Sequence, residues 1–252
     1  MKILIVGCGA MGGALLKGWE KHYELSVINP KKSALKNLDD LGSDYIPNII
    51  VLAVKPQLLA TILPAYSKFK SSLFISVAAG VRLSFFEKIM GLDVKIIRVM
   101  PNLAAQVGEG ASAYIANKNC TSIDIKNINE LFNKVGIVKP LADENMFDTI
   151  TALSGSGPAY VFYLGECMAK AAIDLGLDRE LAYQFARQTI IGAGFTLKHN
   201  ENSLENLRAN VTSKGGTTEA ALNVLVHENR LQNIIDSALS AAQKRALEMA
   251  NT

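Results

Sequence analysis

Short apolar runs alternate with amphipathic segments through the first 120 residues of the chain. The runs are rich in Val and Ile and almost continuously apolar, which is typical of strands buried on both faces of a parallel sheet. The predicted strands are Lys2–Val6, Glu24–Ile28, Ile49–Val54, Leu73–Val77 and Val94–Val99. The predicted helices between them are Met11–His22, Lys32–Leu41, Gln57–Tyr66 and Arg82–Met90. We therefore expect an α/β fold, with a truncated element between Leu38 and Asn48, where the chain is short for a full βα unit.

The pattern changes after Pro101 and again near residue 143. Ala111–Ala116 and Ile137–Lys139 predict two more short strands, and nothing beyond Asp143 has strand character. Capping residues and apolar periodicity predict helices there instead. These are Ala159–Leu175, Arg179–Lys198 with Asp178 as its cap, Ser203 to about Val211, a helix capped by Thr217 or Thr218 that runs through His227, and Leu231–Met249. The pattern predicts an α/β domain over residues 1–143 and an all-α domain over 144–252.

Composition and charge narrow the class of partner. Charged residues make up only 19% of the chain, which indicates that part of the surface is buried against another subunit. The net charge is +3 and no long basic run is present, so we expect no nucleic-acid partner. No run of about 18 apolar residues occurs, so we expect no transmembrane helix and no membrane partner.

The cysteines and histidines give no sign of a metal site. Cys8, Cys120 and Cys167 are far apart and form no C-x-x-C pair, which argues against a disulfide framework and a zinc site. This usage suits a reducing compartment, so we expect a cytoplasmic protein without a metal. The histidines lie away from every motif, and we interpret them as solvated or capping residues.

The first predicted strand leads into a glycine-rich segment that opens a helix. The segment comprises Gly7, Cys8, Gly9, Ala10, Met11 and Gly12. A G-x-G-x-x-G pattern between a strand and a helix is the dinucleotide-binding fingerprint. Gly7 permits a tight turn, Gly9 lets a pyrophosphate approach the backbone, and Gly12 allows close helix–strand packing. The segment predicts a Rossmann-type domain whose helix N-terminus binds phosphates; a merely connecting turn is the less favoured alternative.

The end of the second predicted strand bears on the choice of nicotinamide cofactor. A site that prefers NAD places Asp or Glu there to hold the ribose 2′-hydroxyl. This chain has Asn29, Pro30, Lys31 and Lys32 and no carboxylate. Asn29 can bond a 2′-phosphate and Lys31 or Lys32 can neutralise it, which favours NADP(H) and leaves NAD(H) as the alternative. For each lysine separately, a solvated basic loop is an equally good interpretation.

The carboxyl ends of the other strands of such a sheet line the ligand crevice. Small and apolar residues there leave room for the nicotinamide and its ribose. Lys55 contacts the cofactor or caps the sheet edge. Asn102 orients the nicotinamide carboxamide or the substrate, or is a turn residue after proline; the sequence leaves these choices open. The cofactor contacts predicted at these ends are Ala53, Val54, Lys55, Pro56, Val77, Ala79 and Asn102.

A glycine-rich loop joins two helices of the predicted all-α half. Gly215 and Gly216 allow a tight turn, and the next helix begins at Thr217 or Thr218. The first N–H groups of a helix are unpaired and carry partial positive charge, so such a loop binds anions such as carboxylates. The hydroxyls of Ser213, Thr217 and Thr218 add polar contacts. An ordinary capped turn is an equally good interpretation of this loop.

Several stretches together resemble the pyrroline-5-carboxylate reductase family over nearly the whole chain. The most specific are Leu153–Tyr160, which contains G-S-G-P-A-Y, and Asn210–Leu222, which contains G-G-T-T. The resemblance implies a Rossmann domain followed by a helical dimerisation domain. It also implies a homodimer, further assembly of dimers into a decamer, and reduction of 1-pyrroline-5-carboxylate to L-proline.

The resemblance also implies roles for individual residues. The positions that match the substrate site are Asn210, Val211, Ser213, Gly216, Thr217 and Thr218, with Glu144 placed near it. We expect Thr218 to be the catalytic contact, through a hydrogen bond that orients the ring nitrogen. Two residues depart from the family pattern, since Lys214 and Ala104 stand where prolines are usual.

The sequence raises three rival functions and argues against two of them, the β-hydroxyacid dehydrogenase and the sensor. The β-hydroxyacid dehydrogenases share the fold plan but carry a catalytic lysine shortly after Gly-x-Gly, whereas no lysine follows Gly155 and Gly157 until Lys170. Reduction of another cyclic imine stays open, because the loop does not define the ring. A non-catalytic NADP(H) sensor would not need the polar loop at Ser213–Thr218.

Overall fold

In the computed structural model, which describes residues 1–31, 33–42 and 44–250, seven strands form one sheet. The strands are Lys2–Val6 (β1), Glu24–Ile28 (β2), Ile49–Leu52 (β3), Leu73–Ser76 (β4), Ile96–Met100 (β5), Gly110–Ala116 (β6) and Gly136–Pro140 (β7). Their order in the sheet is β2-β1-β3-β4-β5-β6-β7. The pairs from β2 to β5 are parallel, β6 runs antiparallel to β5, and β7 is parallel to β6. The predicted Rossmann-type sheet is confirmed.

Helices cover both faces of this sheet. They are Ala10–Trp19 (α1), Pro56–Tyr66 (α2), Leu83–Met90 (α3) and Ser122–Phe132 (α4). Helices α1 and α4 pack on one face, where the Trp19 indole N–H donates to the Leu131 carbonyl at 2.9 Å. Helices α2 and α3 pack on the other face, through Leu59, Leu63 and Phe86. Alternate residues of β1 pack into the hydrophobic cores on opposite faces of the sheet. Ile3 and Ile5 lie in the core beneath α1 and α4, and Leu4 and Val6 lie in the core beneath α2 and α3.

The remaining helices follow β7. They are Met146–Ile150 (α5), Gly157–Asp174 (α6), Arg179–Lys198 (α7), Leu204–Asn210 (α8), Thr217–Val226 (α9) and Arg230–Ala250 (α10), with a π-helical turn at Thr151–Gly155 between α5 and α6. The prediction that no strand follows Asp143 is confirmed for the described residues. Helix α7 has the predicted bounds, and the Asp178 carboxylate caps its start by accepting hydrogen bonds from the N–H groups of Glu180 and Leu181.

Two sequence-based predictions about helices need correction. The helix predicted at Lys32–Leu41 is wrong for its described part: Leu35 forms a β-bridge with Ile28, and only Leu38–Asp40 forms a 3₁₀ turn. A capping box between Asn37 and Asp40 stabilises that short turn. Helix α4 was missed, although Thr121 and Asp124 form a capping box at its start.

The chain divides into two compact units. The first comprises residues 1–156 and 241–252 and contains the sheet; the second comprises residues 157–240. Helix α10 contributes residues to both units. The boundary that we predicted at residues 143/144 stays a prediction.

The second unit has few buried residues of its own. Among its residues, only the side chains of Ala169, Ala182 and Ala186 lie fully buried, where α6 packs on α7. Large apolar side chains on the same two helices are exposed instead, including Phe162 at 74% and Phe185 at 64%. A helical unit with so small a core and so much exposed apolar surface is typical of a subunit interface.

No helix among the described residues is both long and apolar enough to span a bilayer. Within the same residues, no cluster of three or more His, Cys, Asp or Glu side chains has the arrangement of a metal site.

Candidate functional site

The glycine-rich turn after β1 is folded as tightly as its sequence predicts. Gly7 has φ +96°, and its N–H donates to the Ile28 carbonyl at 2.9 Å. A Cβ atom on Gly7 would lie 2.6 Å from the Ala53 carbonyl oxygen, and one on Gly12 would lie 2.3 Å from the Gly7 carbonyl oxygen. Both distances are far below van der Waals contact, so the turn requires glycine at these two positions.

The outer side of the same turn is open. Gly9 is the N-cap of α1, no side chain caps the helix, and its first turn carries no acidic residue. Gly9 and Ala10 are exposed, Cys8 and Met11 are half-buried, and a Cβ on Gly9 would have no neighbour within 4 Å. The unpaired N–H groups and positive dipole of α1 therefore face a space that an anion can enter.

The segment after β2 forms a local turn beside the glycine loop. The Asn29 side-chain oxygen accepts a hydrogen bond from the Lys31 N–H at 2.9 Å, and the Ser33 hydroxyl donates to the Val27 carbonyl at 2.5 Å. Lys31 is exposed, and Lys32 lies outside the described residues. The turn therefore presents an amide and a lysine and no carboxylate at the end of β2.

The carboxyl ends of β3 and β4 lie next to this glycine loop, because the sheet order places β3 between β1 and β4. The Ala53 N–H donates to the Val6 carbonyl at 2.8 Å, and the Val77 N–H donates to the Leu52 carbonyl at 3.1 Å. Ala53, Val54, Val77 and Ala79 are all half-buried. Small, partly exposed residues thus line the edge where the sequence predicted the nicotinamide ribose.

Lys55 and Pro56 begin the next helix. Lys55 is exposed and is the N-cap residue of α2, and Pro56 occupies its first helical position. Proline suits that position because it lacks the N–H that would be unpaired there.

Asn102 lies buried beyond the end of β5 and is bonded at both ends of its amide. Its nitrogen donates to the Ser154 carbonyl at 3.0 Å, and its oxygen accepts from the Ala111 N–H at 3.2 Å. These bonds tie β5 and β6 to the turn at Thr151–Gly155. In this structure the amide supports the framework of the first unit.

Glu144 is also bonded within the first unit. Its oxygen Oε1 accepts from the Leu83 N–H and from the Arg98 guanidinium, both at 2.9 Å. The Arg98 guanidinium carbon lies 4.2 Å from the centre of the Phe147 ring, and Arg98 is only 4% exposed. The carboxylate therefore neutralises a buried cation and caps the first turn of α3.

Arg98 itself was missed by the sequence analysis as a functional residue. It lies in the middle of a strand whose neighbours Ile97 and Val99 are fully buried. A charged side chain in a buried strand requires a partner of opposite charge. That requirement was visible in the sequence, whereas the identity of the partner was not.

The loop before α9 folds around its two glycines. Gly215 has φ +73°, the Gly216 N–H donates to the Ser213 carbonyl at 3.0 Å, and a Cβ on Gly216 would lie 2.5 Å from the Ser213 hydroxyl. The helix cap that we predicted at Thr217 or Thr218 is wrong, since Gly216 is the N-cap residue and no side chain caps the helix. The N–H groups that open α9 therefore lack a side-chain cap.

The side chains of this loop reach solvent. Asn210, Val211, Ser213 and Thr217 are exposed, and Thr218 is half-buried. The Gly215 N–H donates to the carboxylate of Glu219 at 2.7 Å. This bond closes the loop on the first turn of α9, and the carboxylate site that the sequence predicts here stays a prediction.

Comparisons with known proteins give a consistent set of relatives. A family model described as pyrroline-5-carboxylate reductase dimerisation matches residues 144–249. The pyrroline-5-carboxylate reductase of Haemophilus influenzae is 35% identical over 98% of this chain and 97% of its own length.

Two solved structures match along the full length. A pyrroline-5-carboxylate reductase from Coxiella burnetii has a TM-score of 0.90 and 32% identity, over 99% of this chain and 98% of the other. Pyrroline carboxylate reductase of Plasmodium falciparum, solved with NADP bound, has a TM-score of 0.83 and 32% identity over the same shares.

Proposed function

Because this chain belongs to the pyrroline-5-carboxylate reductase family, we propose that it reduces 1-pyrroline-5-carboxylate to L-proline, the last step of proline biosynthesis, with NADPH as the reductant. The observation that carries the proposal is the match at 35% identity over almost the full length of both chains. That match includes the sheet domain with its glycine loop and the helical half with the polar loop before α9.

The glycine loop fits a dinucleotide. Its outer side is free of side chains at Gly9, and its inner side admits only hydrogen at Gly7 and Gly12. We propose that Gly7 to Gly12 hold the pyrophosphate, that Asn29 and Lys31 meet the 2′-phosphate, and that Lys55 and Pro56 contact the sugar side. Ala53, Val54, Val77 and Ala79 would flank the nicotinamide end, and the bound cofactor would supply the hydride. The turn at Asn29 favours NADPH, and NADH is the alternative.

The loop before α9 fits the substrate carboxylate. The backbone N–H groups of Thr217 and Thr218 would bind it at the start of α9. Gly216 would shape the turn before them, because its own N–H already donates to the Ser213 carbonyl. Asn210, Val211 and Ser213 would shape the rest of the site. The Thr218 hydroxyl would hydrogen-bond the ring nitrogen and orient it, so that these residues contribute chiefly positioning and electrostatic stabilisation.

Asn102 and Glu144 are assigned a supporting role rather than a direct contact with a ligand. Both side chains are bonded within the first unit, Asn102 to Ser154 and Ala111, and Glu144 to Arg98 and Leu83. We propose that they act near the site by holding β5 and the start of α3 in place.

We further propose a cytoplasmic homodimer built through residues 144–252, with dimers assembling into a decamer. The exposed apolar side chains of α6 and α7, and the small core between them, support the dimer. The family model for dimerisation matches almost the same segment.

The reaction is tested by the loss of NADPH absorbance when the purified protein is given 1-pyrroline-5-carboxylate, and by repeating the assay with NADH. We expect substrate-dependent loss, faster with NADPH. Binding of NADPH without its consumption would support the sensor alternative, and consumption only with another cyclic imine would reassign the substrate.

The role of Thr218 is tested by replacing it. We expect Thr218→Ala to lower kcat roughly tenfold to a hundredfold, the value of one well-placed hydrogen bond, while NADPH affinity stays near wild type. Thr218→Ser keeps the hydroxyl and should restore most of the activity. Ser67→Ala, which removes a hydroxyl bonded to the Pro64 carbonyl in the first unit, is the control. Full turnover in Thr218→Ala would remove Thr218 from the mechanism.

A further inference from the structure

The turn that follows β4 makes close contact with the end of the chain. Gly80 has φ +75°, a conformation that favours glycine. A Cβ atom on Gly80 would lie 2.9 Å from the carbonyl oxygen of Met249 and 3.1 Å from its carbonyl carbon. The last turn of α10 therefore rests directly on the backbone of this turn, at a point where any side chain would push the two apart.

The end of α10 is itself held in place within the first unit. The Gln243 side-chain amide donates to the Thr149 hydroxyl at 2.7 Å, and Ala246 is only 8% exposed. These two contacts anchor the final turns of the helix. The end of α10 is therefore packed against the rest of the first unit and is not a solvent-exposed tail.

A cavity of about 900 Å³ lies between the end of α10 and the starts of α2 and α3. Pro56 and Ala79, which we propose as cofactor contacts, line it together with Phe85, Met249 and Ala250. Beside this cavity, the atoms nearest to a Cβ on Gly80 belong to the backbone of Met249 and Ala250. The position of Ala79 therefore depends on the contact between Gly80 and Met249.

We propose that the carboxyl-terminal turn of α10 positions the Ala78–Gly80 turn for the cofactor, which makes Gly80 and Met249 positioning residues. This inference rests on the proposed function, because it takes Val77 and Ala79 as part of the cofactor site. Helix α10 holds the turn so that the small side chain of Ala79 borders the nicotinamide end of the cleft.

The first variants are a chain that ends at Glu248 and the substitution Gly80→Ala. Gly91→Ala is the matched control for the substitution, since Gly91 also has a positive φ, +98°, but a Cβ there would have no neighbour within 4 Å. NADPH affinity is measured by quenching of the fluorescence of Trp19, the only tryptophan, without any need for turnover. Melting temperatures of all variants are recorded alongside.

We expect the shortened chain and Gly80→Ala each to raise the Kd for NADPH about three- to tenfold, and Gly91→Ala to leave it unchanged. At saturating NADPH, the KM for 1-pyrroline-5-carboxylate should stay within about twofold of wild type. Combining the two changes should raise Kd by less than the product of the separate effects, because the shortened chain no longer presents the Met249 carbonyl to the methyl group that Gly80→Ala adds.

Unchanged NADPH affinity in both variants would overturn the inference, as would equal losses in Gly80→Ala and Gly91→Ala, which would indicate general backbone strain. Multiplicative effects in the combined variant would also overturn it. If wild-type protein binds NADPH but does not reduce 1-pyrroline-5-carboxylate, the proposed function fails, and the binding measurements still decide the inference separately.

Discussion

The carboxylate of Asp124 shows how one buried side chain can join a helix to the sheet. Its oxygen Oδ2 accepts hydrogen bonds from the Thr121 N–H and hydroxyl, both at 2.7 Å, and lies 3.3 Å from the Lys95 ammonium. Burial by itself would raise the pKa of Asp124, but the bonds from Thr121 and the charge of Lys95 outweigh it and lower the pKa. The ionised form is therefore favoured by the fold.

This argument predicts a pH-dependent effect of Asp124→Asn. At neutral pH the substitution should lower the free energy of unfolding by about 1–3 kcal/mol, the usual cost of losing charge-assisted hydrogen bonds. Since the folded-state pKa is depressed, the wild-type advantage is present above the ordinary aspartate pKa of about 3.9 and is lost as the pH falls toward the lower folded value. Urea unfolding of both proteins from pH 7 into the acid range measures this.

Asp93→Asn serves as the control for that experiment, because Asp93 is exposed. It should change stability little at any pH. A constant difference between wild type and Asp124→Asn across the acid range would show that the charge of Asp124 is not what stabilises α4.

At the scale of elements, the β1–α1 unit depends on contact between backbones. Gly12 lies in the first turn of α1, within reach of both the Gly7 carbonyl and Ala53, which follows β3. The next residue, Gly13, has only the Cys8 sulfur within 4 Å of its Cβ position, at 3.9 Å. Gly12 therefore has no room for a side chain, whereas the adjacent Gly13 has room for a methyl group.

This difference predicts opposite results for two alanine substitutions. Gly12→Ala must displace the glycine loop or tilt α1, and should weaken NADPH binding by about tenfold or more, because the loop geometry sets the pyrophosphate contacts. Gly13→Ala adds a methyl group in open space and should leave Kd near wild type, with stability raised by up to about 1 kcal/mol. Fluorescence titration and thermal melts of both variants distinguish them, and equal NADPH affinity in the two would contradict the packing argument.

At the scale of the whole molecule, the second unit buries too little apolar surface to be stable by itself. Its buried side chains are three alanines, and an alanine core buries too little apolar surface to offset the entropy of ordering a helical unit. The large apolar residues that would complete a core are exposed on α6 and α7. A second copy of the chain is the partner that the family match supports.

We therefore expect Phe162→Glu to shift the protein toward monomer. Phe162 on α6 is 74% exposed, and a carboxylate buried at a subunit interface without a partner costs several kcal/mol, so the dimer Kd should rise about a hundredfold or more. Sedimentation or light scattering across a dilution series measures this. Leu92→Glu, at a residue of the first unit that is 68% exposed, is the control and should leave the mass unchanged. An unaltered dimer in Phe162→Glu would exclude that face from the interface.

The local elements were largely predictable. Strands β1 and β2 and helix α7 have the predicted boundaries, because apolar runs and caps such as Asp178 act within a few residues of the chain. The segment from Ser33 to Leu41 was not predictable in the same way. Its helical pattern was overridden when Leu35 paired with Ile28 at the edge of the sheet, an interaction that local propensity does not contain.

The sequence by itself determined the Rossmann-type sheet, the glycine loop and the polar loop before α9, because strand period, turn geometry and helix ends depend on neighbours along the chain. Only the tertiary structure decided the partners of Arg98, Asn102 and Gly80. Arg98 meets Glu144 46 residues away, and Asn102 meets Ser154 52 residues away. Gly80 meets the carbonyl of Met249 at the far end of the chain. Such pairs form when packing brings distant segments together. The sequence shows that a buried arginine needs a carboxylate partner, but it does not show which carboxylate the fold brings to it.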